Sequence, residues 1–258
     1  MFTNPENLTL NQIEEIERAS ARLVTQAIFE FRDIAADIFR RESDLPQDVA
    51  EDVTREALDR LGVSKMDQRL YGKIDYKRAR YVFHPEYAVR QALLVDSKAE
   101  KGDAATATIQ TGQTSMRIRH VRSSAPVDVP GDLERAISNI LTTTIFVKYL
   151  YEDSPQTLLR MITIAALPSG YLQEIYNPTA EDTIWRAGRN APSLGEAFRV
   201  RLVFARLKQK MRWRVQTIPV PASAASSESI VIPSFPWDDE GAQSPVVSTE
   251  VTPSDIAL

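Results

Sequence analysis

The apolar run Ala92-Leu93-Leu94-Val95 passes directly into Asp96-Ser97-Lys98, and this junction constrains the fold more than any other part of the chain. A short unbroken apolar run is typical of a β-strand that is covered on both faces. Side chains alternate between the two faces of a strand, so Asp96 and Lys98 point to the same side. A carboxylate at the end of a buried strand costs desolvation energy unless it has a partner or a metal. The junction therefore predicts either a functional site or a solvated ion pair of small energetic value.

A second acidic position lies in the strand predicted before this run, in the segment Ile74-Asp75-Tyr76-Lys77. Asp75 can join Asp96 and Lys98 from that neighbouring strand. Two carboxylates suit a hard cation such as Mg²⁺, which polarises a scissile phosphate and activates water. The lysine can orient that water or stabilise the charge of the transition state. The three residues are therefore candidates for metal-dependent phosphodiester hydrolysis.

Five segments carry a resemblance to a known family. The two that hold the candidate residues are Ile74 to Tyr81 and Leu93 to Ala99. The other three are Ala50 to Thr54, Thr142 to Val147, and the long run from Tyr176 to Lys208. In order and in spacing, over roughly residues 8–218, they resemble the SfiI-type type II restriction endonucleases, in the BglI/SfiI group of the PD-(D/E)xK nuclease superfamily. One departure is Ser97, which stands where we expect alanine.

The resemblance implies an α/β fold with a PD-(D/E)xK restriction-endonuclease-like core, in which a mixed β-sheet is flanked by helices. It implies a site-specific deoxyribonuclease that uses Mg²⁺, with Mn²⁺ as a substitute. It also implies double-strand cuts in an interrupted, GC-rich palindrome of the GGCC(N)GGCC kind, which leave a 5′-phosphate and short 3′ overhangs. A homodimer or homotetramer would match the twofold symmetry of such a site in double-stranded DNA.

The same resemblance assigns roles within the catalytic group. Asp75 and Asp96 are expected to hold the metal, with a backbone carbonyl from the Val95 or the Ser97 region, and Lys98 is expected to position the attacking water. Glu51 is the candidate for a further acidic residue, contributed by a helix. Helical geometry does not choose between Glu51 and its neighbour Asp52, and either could instead be an ordinary solvated helix residue.

A basic strand is the candidate for recognition of DNA bases. Arg199 and Arg201 alternate with apolar residues, so both are predicted to project from one face of the strand. The arginine fork matches the O6 and N7 atoms of guanine in the major groove, and in enzymes that this chain resembles an Arg-x-Arg strand reads the outer base pairs. The alternative is a basic rim that contacts phosphates only.

Other basic residues are predicted to contact the DNA backbone. Lys208 is the representative of a group that is expected to position the backbone or to pair with acids; the others are Arg206, Lys210, Arg212 and Arg214. Arg117 and Arg119 lie in a separate basic segment and are the second candidate for DNA contact. Tyr176, Trp185 and Trp213 are predicted to serve packing or dimer contacts rather than base stacking.

The formal charge of −4 at first argues against a DNA-binding protein. Six acidic residues and no lysine or arginine lie in residues 219–258, which leaves 31 basic and 29 acidic residues in the rest of the chain, a net charge of +2. Nine of the basic residues lie between Arg186 and Arg214, against one acid, Glu196. Local charge density governs attraction to phosphates within a Debye length, so the distribution favours DNA.

Residue types exclude several other classes of protein. The chain has no cysteine and two histidines, so a disulfide framework and thiolate metal sites are excluded. Zinc hydrolase and Ser-His-Asp sites are nearly excluded as well. No apolar segment approaches the length of a membrane span and the N-terminus is polar, so we expect a cytoplasmic, prokaryotic protein without a membrane partner.

Periodicity predicts the domain organisation. Residues 1–220 are predicted to form a single nuclease domain, and residues 221–258, rich in Ser and Pro and acidic, a disordered tail. Helices are predicted at about 9–41 (with a capping box at Thr9 and Gln12), 47–61 and 132–140. Strands are predicted at about 71–83, 88–98, 142–151, 158–167 and 198–204, while 99–130 is predicted to be irregular and 168–195 to be rich in loops.

Two rival functions remain open at this point. The first is a sequence-specific DNA-binding protein with the nuclease fold but without cleavage, although such a module would tend to lose a member of the Asp75, Asp96 and Lys98 triad. The second is a repair nuclease that reads DNA shape. Cleavage at one fixed sequence would separate the main interpretation from both.

Overall fold

The computed structural model describes residues 2–60, 69–70, 78–84, 86–102, 108–112, 119–120, 130–132, 136–137, 140–153, 155–187 and 199–221. The predicted tail lies outside the described residues from position 222 onward, so its disorder and the single-domain assignment stay predictions. None of the helices in the described ranges is long and apolar enough to cross a membrane.

The first helix, α1, spans Leu10–Arg41, close to the predicted range. It begins in the predicted capping box: the Gln12 amide donates to the Thr9 hydroxyl at 3.2 Å, and the Thr9 amide donates to the Gln12 side chain at 2.9 Å. Reciprocal bonds of this kind satisfy backbone donors that would otherwise lack partners at a helix start. A short 3-10 turn, Pro5–Asn7, precedes the helix.

The second helix, α2, spans Pro46–Arg60. Proline at the first helical position costs no hydrogen bond there, because the first amides of a helix have no intrahelical partner. The buried side chains of α2 recur at helical spacing and include Val49, Val53 and Ala57. The predicted end of this helix at Leu61 and Gly62 lies outside the described residues.

A mixed sheet of seven strands forms the centre of the described structure. Its strands run in the order β1, β2, β3, β8, β9, β12, and β7 pairs with β8 off this path. β3 and β8 are parallel, and the other pairs are antiparallel. The strands of this sheet are β1 (Arg69–Leu70), β2 (Arg78–His84), β3 (Val89–Lys101), β7 (Ala136–Ile137), β8 (Ile140–Asp153), β9 (Thr157–Leu167) and β12 (Val215–Pro219).

A second, three-stranded sheet has the order β10, β11, β4, and β5 pairs with β6 separately. These strands are β4 (Thr108–Gly112), β5 (Arg119–His120), β6 (Pro130–Asp132), β10 (Trp185–Ala187) and β11 (Arg199–Val203). The described residues also form two short α-helices, α3 (Gln173–Tyr176) and α4 (Phe204–Lys210), and a 3-10 turn at Arg212–Arg214. The predicted α/β class with a mixed sheet and flanking helices is therefore confirmed.

Two hydrophobic clusters cover the central strands. The first joins α1 and α2 to the sheet and includes Phe31, Val53, Leu93 and Val95. The second joins the central sheet to the three-stranded sheet, and Phe146 of β8 lies in it together with Trp185, Val200 and Leu202. β3 and β8 are consequently buried from both sides, as their unbroken apolar runs predict.

Three parts of the sequence-based assignment are wrong. The helix predicted at 132–140 is replaced, in the described residues there, by strand: β6 includes Asp132, β7 pairs Ile137 with Ile140, and β8 begins at Ile140. Strand pairing overrides the helix propensity of the segment. The stretch 99–130, predicted to be irregular, contains the end of β3 and all of β4 and β5. Phe204 begins α4 instead of ending a strand, and β12 has no counterpart in the prediction.

The last described strand is attached to the first helix by a buried arginine. Arg214 is fully buried and donates to Glu14 at 2.6 Å, to Glu17 at 2.7 Å and to the Tyr176 hydroxyl at 2.6 Å. Glu17 also accepts a bond from the Ser169 amide at 2.9 Å. Burial raises the pKa of Glu17 to about 7, although the positive charge of Arg214 opposes the shift.

Aromatic burial agrees with the packing role predicted for Tyr176, Trp185 and Trp213, since all three side chains are buried. The pairing with acids predicted for the basic segment is confirmed for two members. Arg214 pairs with acids as above, and Lys210 pairs with Asp182 at 2.6 Å.

Candidate active site

Asp96 and Lys98 project from the same face of β3, as the alternation of a strand requires. The Lys98 Nζ atom lies 3.4 Å from Asp96 Oδ1. The Asp96 side chain is 13 % exposed and that of Lys98 is 39 % exposed, so the carboxylate is sheltered while the amine reaches solvent. Ser97, between them, is buried on the opposite face. The structure therefore brings this predicted pair together.

β3 continues beyond the point at which it was predicted to end. The strand runs to Lys101, and Lys98, Glu100 and Lys101 pair in parallel with β8 residues. Among the described residues, β2 pairs with β3 from Val89, opposite His84, to Val95, opposite Arg78. Asp96 and Lys98 consequently lie within a strand, at the point where its buried part gives way to half-buried residues.

The helix α2 holds this segment of β3 from behind. The Ser97 hydroxyl donates to the Thr54 hydroxyl at 2.7 Å, and Thr54 shares a 2.8 Å bond with the Tyr149 hydroxyl of β8. All three side chains are buried. Buried hydroxyls that satisfy one another stabilise a single arrangement of the strand.

A glutamine of α2 links Glu51 to the same strand. The Gln47 side-chain amide donates to Glu51 Oε1 at 3.0 Å and to the Ser97 carbonyl at 2.8 Å, and it accepts from the Ala99 amide at 2.9 Å. The neighbour Asp52 is exposed and pairs with Arg55 at 2.6 Å. Of the two acids that the sequence left open, Glu51 is the one connected to the Asp96–Lys98 segment.

The arginine strand has the predicted alternation. Val200 and Leu202 of β11 are fully buried in the second hydrophobic cluster, whereas Arg199 and Arg201 are half-buried on the other face. Arg201 lies opposite Arg186 of β10, whose side chain is exposed. Three arginines thus share one face of the three-stranded sheet.

Lys148 of β8 links the three-stranded sheet to β3, the strand that carries Asp96 and Lys98. Lys148 lies beside Lys98 in the parallel register, forms an ion pair with Glu100 of β3, and donates to the Thr108 carbonyl of β4 at 3.2 Å. Burial lowers the pKa of Lys148, although the Glu100 carboxylate acts to raise it. The strand that carries Asp96 is therefore joined by hydrogen bonds and an ion pair to the sheet that carries the arginines.

The other predicted residues are less fully described. Asp75 and Arg117 lie outside the described residues, and for Arg119 the structure describes only its place in β5. Lys208 is exposed on α4, a position open to a phosphate. Arg206 donates to the Thr183 and Trp185 carbonyls at 3.0 and 3.2 Å.

The atoms near Asp96 that could bind a metal ion suit a hard cation. The described atoms of this kind are the Asp96 carboxylate and the Ser97 carbonyl, both oxygens, and a carbonyl keeps a second lone pair after accepting the bond from Gln47. Within the described ranges no three acidic, histidine or cysteine residues come together. Asp96 is thus the carboxylate that this end of β3 supplies to such a site.

Comparison with known proteins agrees with this geometry. The model of the family described as Type II restriction enzyme SfiI matches residues 13–218, well over half of the chain. The chain belongs to the SfiI family of type II restriction enzymes. The resemblance identified from the sequence is thereby confirmed, and with it the enzyme class, a site-specific deoxyribonuclease.

Individual relatives extend over nearly the same length. The Type II restriction enzyme SfiI of Streptomyces fimbriatus is 30 % identical over 244 residues, which cover 87 % of this chain and 90 % of the relative. The crystal structure of tetrameric restriction endonuclease SfiI bound to cognate DNA matches with a TM-score of 0.68 and 26 % identity, over 87 % of this chain and 90 % of that chain.

A more distant structure supports the fold alone. The restriction endonuclease BglI, bound to its DNA recognition sequence, matches with a TM-score of 0.59 and 17 % identity, over 81 % of this chain and 91 % of that chain. Both solved structures share the architecture of this chain, so the restriction-endonuclease-like fold that the family resemblance implies is confirmed.

Sequence reasoning missed Gln47, Thr54 and Lys148 as neighbours of the candidate site. One signal for Gln47 was present, because Gln47 and Glu51 are four residues apart and therefore adjacent on a helix face. For Lys148 the signal was its position in an otherwise apolar strand, since a buried lysine requires a partner.

Proposed function

We propose that this restriction enzyme uses Mg²⁺, with Mn²⁺ as a substitute, and cuts both strands of DNA within an interrupted, GC-rich palindrome of the GGCC(N)GGCC kind. The observation that carries the proposal is the 3.4 Å approach of Lys98 to Asp96 on one face of β3, a strand that pairs with β8 as far as Lys101. A packed strand holds a carboxylate and an amine in constant geometry, which hydrolysis of a phosphodiester requires.

The proposed metal site has oxygen ligands only. Asp75, Asp96 and the Ser97 carbonyl would hold the ion, and a hard cation prefers such ligands. When bound, Mg²⁺ would supply a Lewis acid that polarises the scissile phosphate. Glu51, held toward β3 by Gln47, would add a carboxylate from the helix side.

Lys98 is the proposed residue that orients the attacking water. Its half-exposed amine can hold a water molecule by hydrogen bonding and can stabilise the negative charge that develops on the phosphate. In-line attack would leave a 5′-phosphate and a 3′-hydroxyl, and staggered cuts in the two strands would leave the short 3′ overhangs that the sequence resemblance implies.

Arg199 and Arg201 are the proposed readers of guanine. Their support is the alternation on β11, in which the apolar residues anchor the strand and the arginines occupy its other face. Lys208, Arg117 and Arg119 are proposed to contact the DNA backbone, where a point charge or a single arginine suffices. Lys148 and Phe146 of β8 contact the three-stranded sheet, so they would hold it in a fixed position relative to β3.

A homodimer or homotetramer on double-stranded DNA is the proposed assembly. The solved SfiI relative is described as tetrameric and bound to cognate DNA, and twofold symmetry of a protein matches a palindromic site. We further propose that the enzyme works in the prokaryotic cytoplasm, where its DNA substrates are.

Digestion of sequenced plasmid or phage DNA tests the proposal. With Mg²⁺, the wild-type chain should give discrete fragments whose mapped ends fall within one interrupted palindrome. Asp96→Ala and Lys98→Ala should give no fragments while they still bind the cognate duplex, and Asp52→Ala should cut like the wild type. Random fragments would indicate a nuclease that reads DNA shape, and near wild-type cleavage by Asp96→Ala would contradict the assigned site.

A further inference from the structure

The side-chain amide of Gln47 occupies the place of a neighbouring strand beside Lys98. It donates to the carbonyl of Ser97 and accepts from the amide of Ala99, the residues on either side of Lys98. In a parallel ladder one residue makes this pair of bonds to the partners that flank its opposite residue. Because β8 pairs with β3 on one edge as far as Lys101, Gln47 bonds the other edge, beyond the β2 pairs that the structure describes.

The same amide also holds the acidic residue of the helix. Its nitrogen carries two hydrogens, and the two acceptors within reach are the Ser97 carbonyl at 2.8 Å and Glu51 Oε1 at 3.0 Å. Gln47, Glu51 and Thr54 follow one another along α2 at spacings of four and three residues, so they lie on one helix face. This face meets the 97–99 segment of β3.

We propose that Gln47 is a positioning residue of the nuclease site. It fixes the peptide groups on both sides of Lys98, and it holds the Glu51 carboxylate against the same segment. The Ser97 carbonyl, a proposed metal ligand, receives its orientation from this amide. The inference rests on the proposed function, because it assigns Gln47 a part in the geometry that Asp96, Lys98 and Glu51 need for cleavage.

Gln47→Met in the full-length chain tests the proposal, because methionine has a similar length but lacks the amide. Partners that orient the ligands of a metal site contribute about 10–100-fold to activity or metal affinity. We expect the single-turnover cleavage rate on cognate DNA with Mg²⁺ to fall by that factor. The affinity for cognate DNA, measured with Ca²⁺ in place of Mg²⁺, should stay within about twofold of wild type.

A matched control is available on α1. Gln26 and Glu30 form the same i, i+4 glutamine–glutamate pair on an exposed helix surface, so Gln26→Met makes the same substitution away from β3. It should cut at the wild-type rate. Hydrogen exchange of the metal-free protein gives a readout that is independent of cleavage: the Ala99 amide should exchange faster in Gln47→Met and should be unchanged in Gln26→Met.

A double-mutant cycle tests whether Gln47 acts in part through Glu51. If it does, Gln47→Met should slow cleavage less in the Glu51→Gln background than in the wild type. Gln47→Glu serves as a second substitution if Gln47→Met unfolds, because it keeps an acceptor for Ala99 but loses both donors, and it should also cut slowly.

The outcomes separate this proposal from the proposed function. Wild-type cleavage rates in both Gln47 variants, with Asp96→Ala inactive, would overturn the role of Gln47 alone. Equal losses of DNA affinity, cleavage and unfolding temperature would also overturn it, because they would show a purely structural residue. A wild-type chain that cuts no DNA would instead refute the proposed function.

Discussion

The Ser97 hydroxyl of β3 donates a 2.7 Å hydrogen bond to the Thr54 hydroxyl of α2, directly behind the face that carries Asp96 and Lys98. Ser97 stands where the family resemblance suggests alanine, so Ser97→Ala removes a bond that cleavage does not need. We expect it to lower the free energy of unfolding by about 1 kcal/mol and to leave the cleavage rate unchanged. Urea unfolding and single-turnover cleavage measure the two effects.

Thr54→Val is the contrasting substitution for Ser97→Ala. Thr54 also bonds the Tyr149 hydroxyl at 2.8 Å, so valine leaves two buried hydroxyls without this partner. An unsatisfied buried polar group costs roughly 1–3 kcal/mol, and Thr54→Val should therefore destabilise more than Ser97→Ala. Equal destabilisation by both substitutions would show that the hydroxyl chain contributes nothing beyond a single bond.

Local patterns predicted the parts of the fold that depend on neighbouring residues. The capping box and apolar spacing gave α1 almost to its ends, and alternation placed Asp96 and Lys98 on one face and Arg199 and Arg201 on another. These features depend on a few consecutive positions. The predicted end of β3 was wrong. The last residues of β3 are polar, and they continue the strand because they pair with residues of β8 that are distant in sequence.

Contacts between distant elements account for the rest. No local pattern indicates that Ile137 pairs with Ile140 instead of continuing a helix, or that Gln47 of α2 replaces a strand beside Lys98. The same holds for Lys148, which reaches Glu100 and the Thr108 carbonyl. These bonds depend on which faces meet in the folded chain, so helix and strand propensities carry little information about them.

The arginine strand leads to a prediction about specificity. Arg199→Ala and Arg201→Ala should each weaken binding to the cognate duplex far more than to a scrambled duplex, because a bidentate arginine–guanine contact contributes about 1–3 kcal/mol of discrimination. The measurement is a pair of binding titrations with Ca²⁺ for each variant.

Lys208→Ala provides the comparison for these arginines. Exposed on α4, Lys208 is a proposed phosphate contact, so its loss should weaken binding to both duplexes alike and reduce the salt slope by about 1. If the two arginine variants behave in this same way, they contact the backbone, and base readout belongs elsewhere, with the basic segment from Arg117 to Arg122 as the next candidate.

Metal removal gives a further prediction. The described atoms near Asp96 that could bind a metal are oxygens, and the chain has no cysteine. We therefore expect Mg²⁺ or Mn²⁺ to support cleavage and Ca²⁺ to support DNA binding alone. Exhaustive treatment with EDTA should abolish cleavage, and added Mg²⁺ should restore it. Cleavage that persists after EDTA treatment would contradict an oxygen-ligated metal site.

The Glu14–Arg214–Glu17 cluster predicts how stability depends on pH. Two carboxylates share one guanidinium, and Glu17 is the fully buried one of the two, so burial raises the pKa of Glu17 from 4.5 to about 7. A raised pKa means that the folded chain holds this proton more tightly than the unfolded chain does. The stabilisation is therefore complete below about pH 4.5 and is lost as the pH rises through about 7.

Glu17→Gln should remove this dependence, because glutamine cannot ionise. Since one pKa unit corresponds to about 1.4 kcal/mol, the free energy of unfolding of the wild type should fall by a few kcal/mol between pH 4.5 and 7 relative to that of the variant. Urea unfolding at intervals of half a pH unit measures the difference. Glu14→Gln is the companion variant: the charge of Glu14 contributes to the raised pKa, so its removal should shift the pH window of Glu17 downward. Parallel pH profiles for the wild type and Glu17→Gln would show that Glu17 stays ionised beside Arg214 throughout this range.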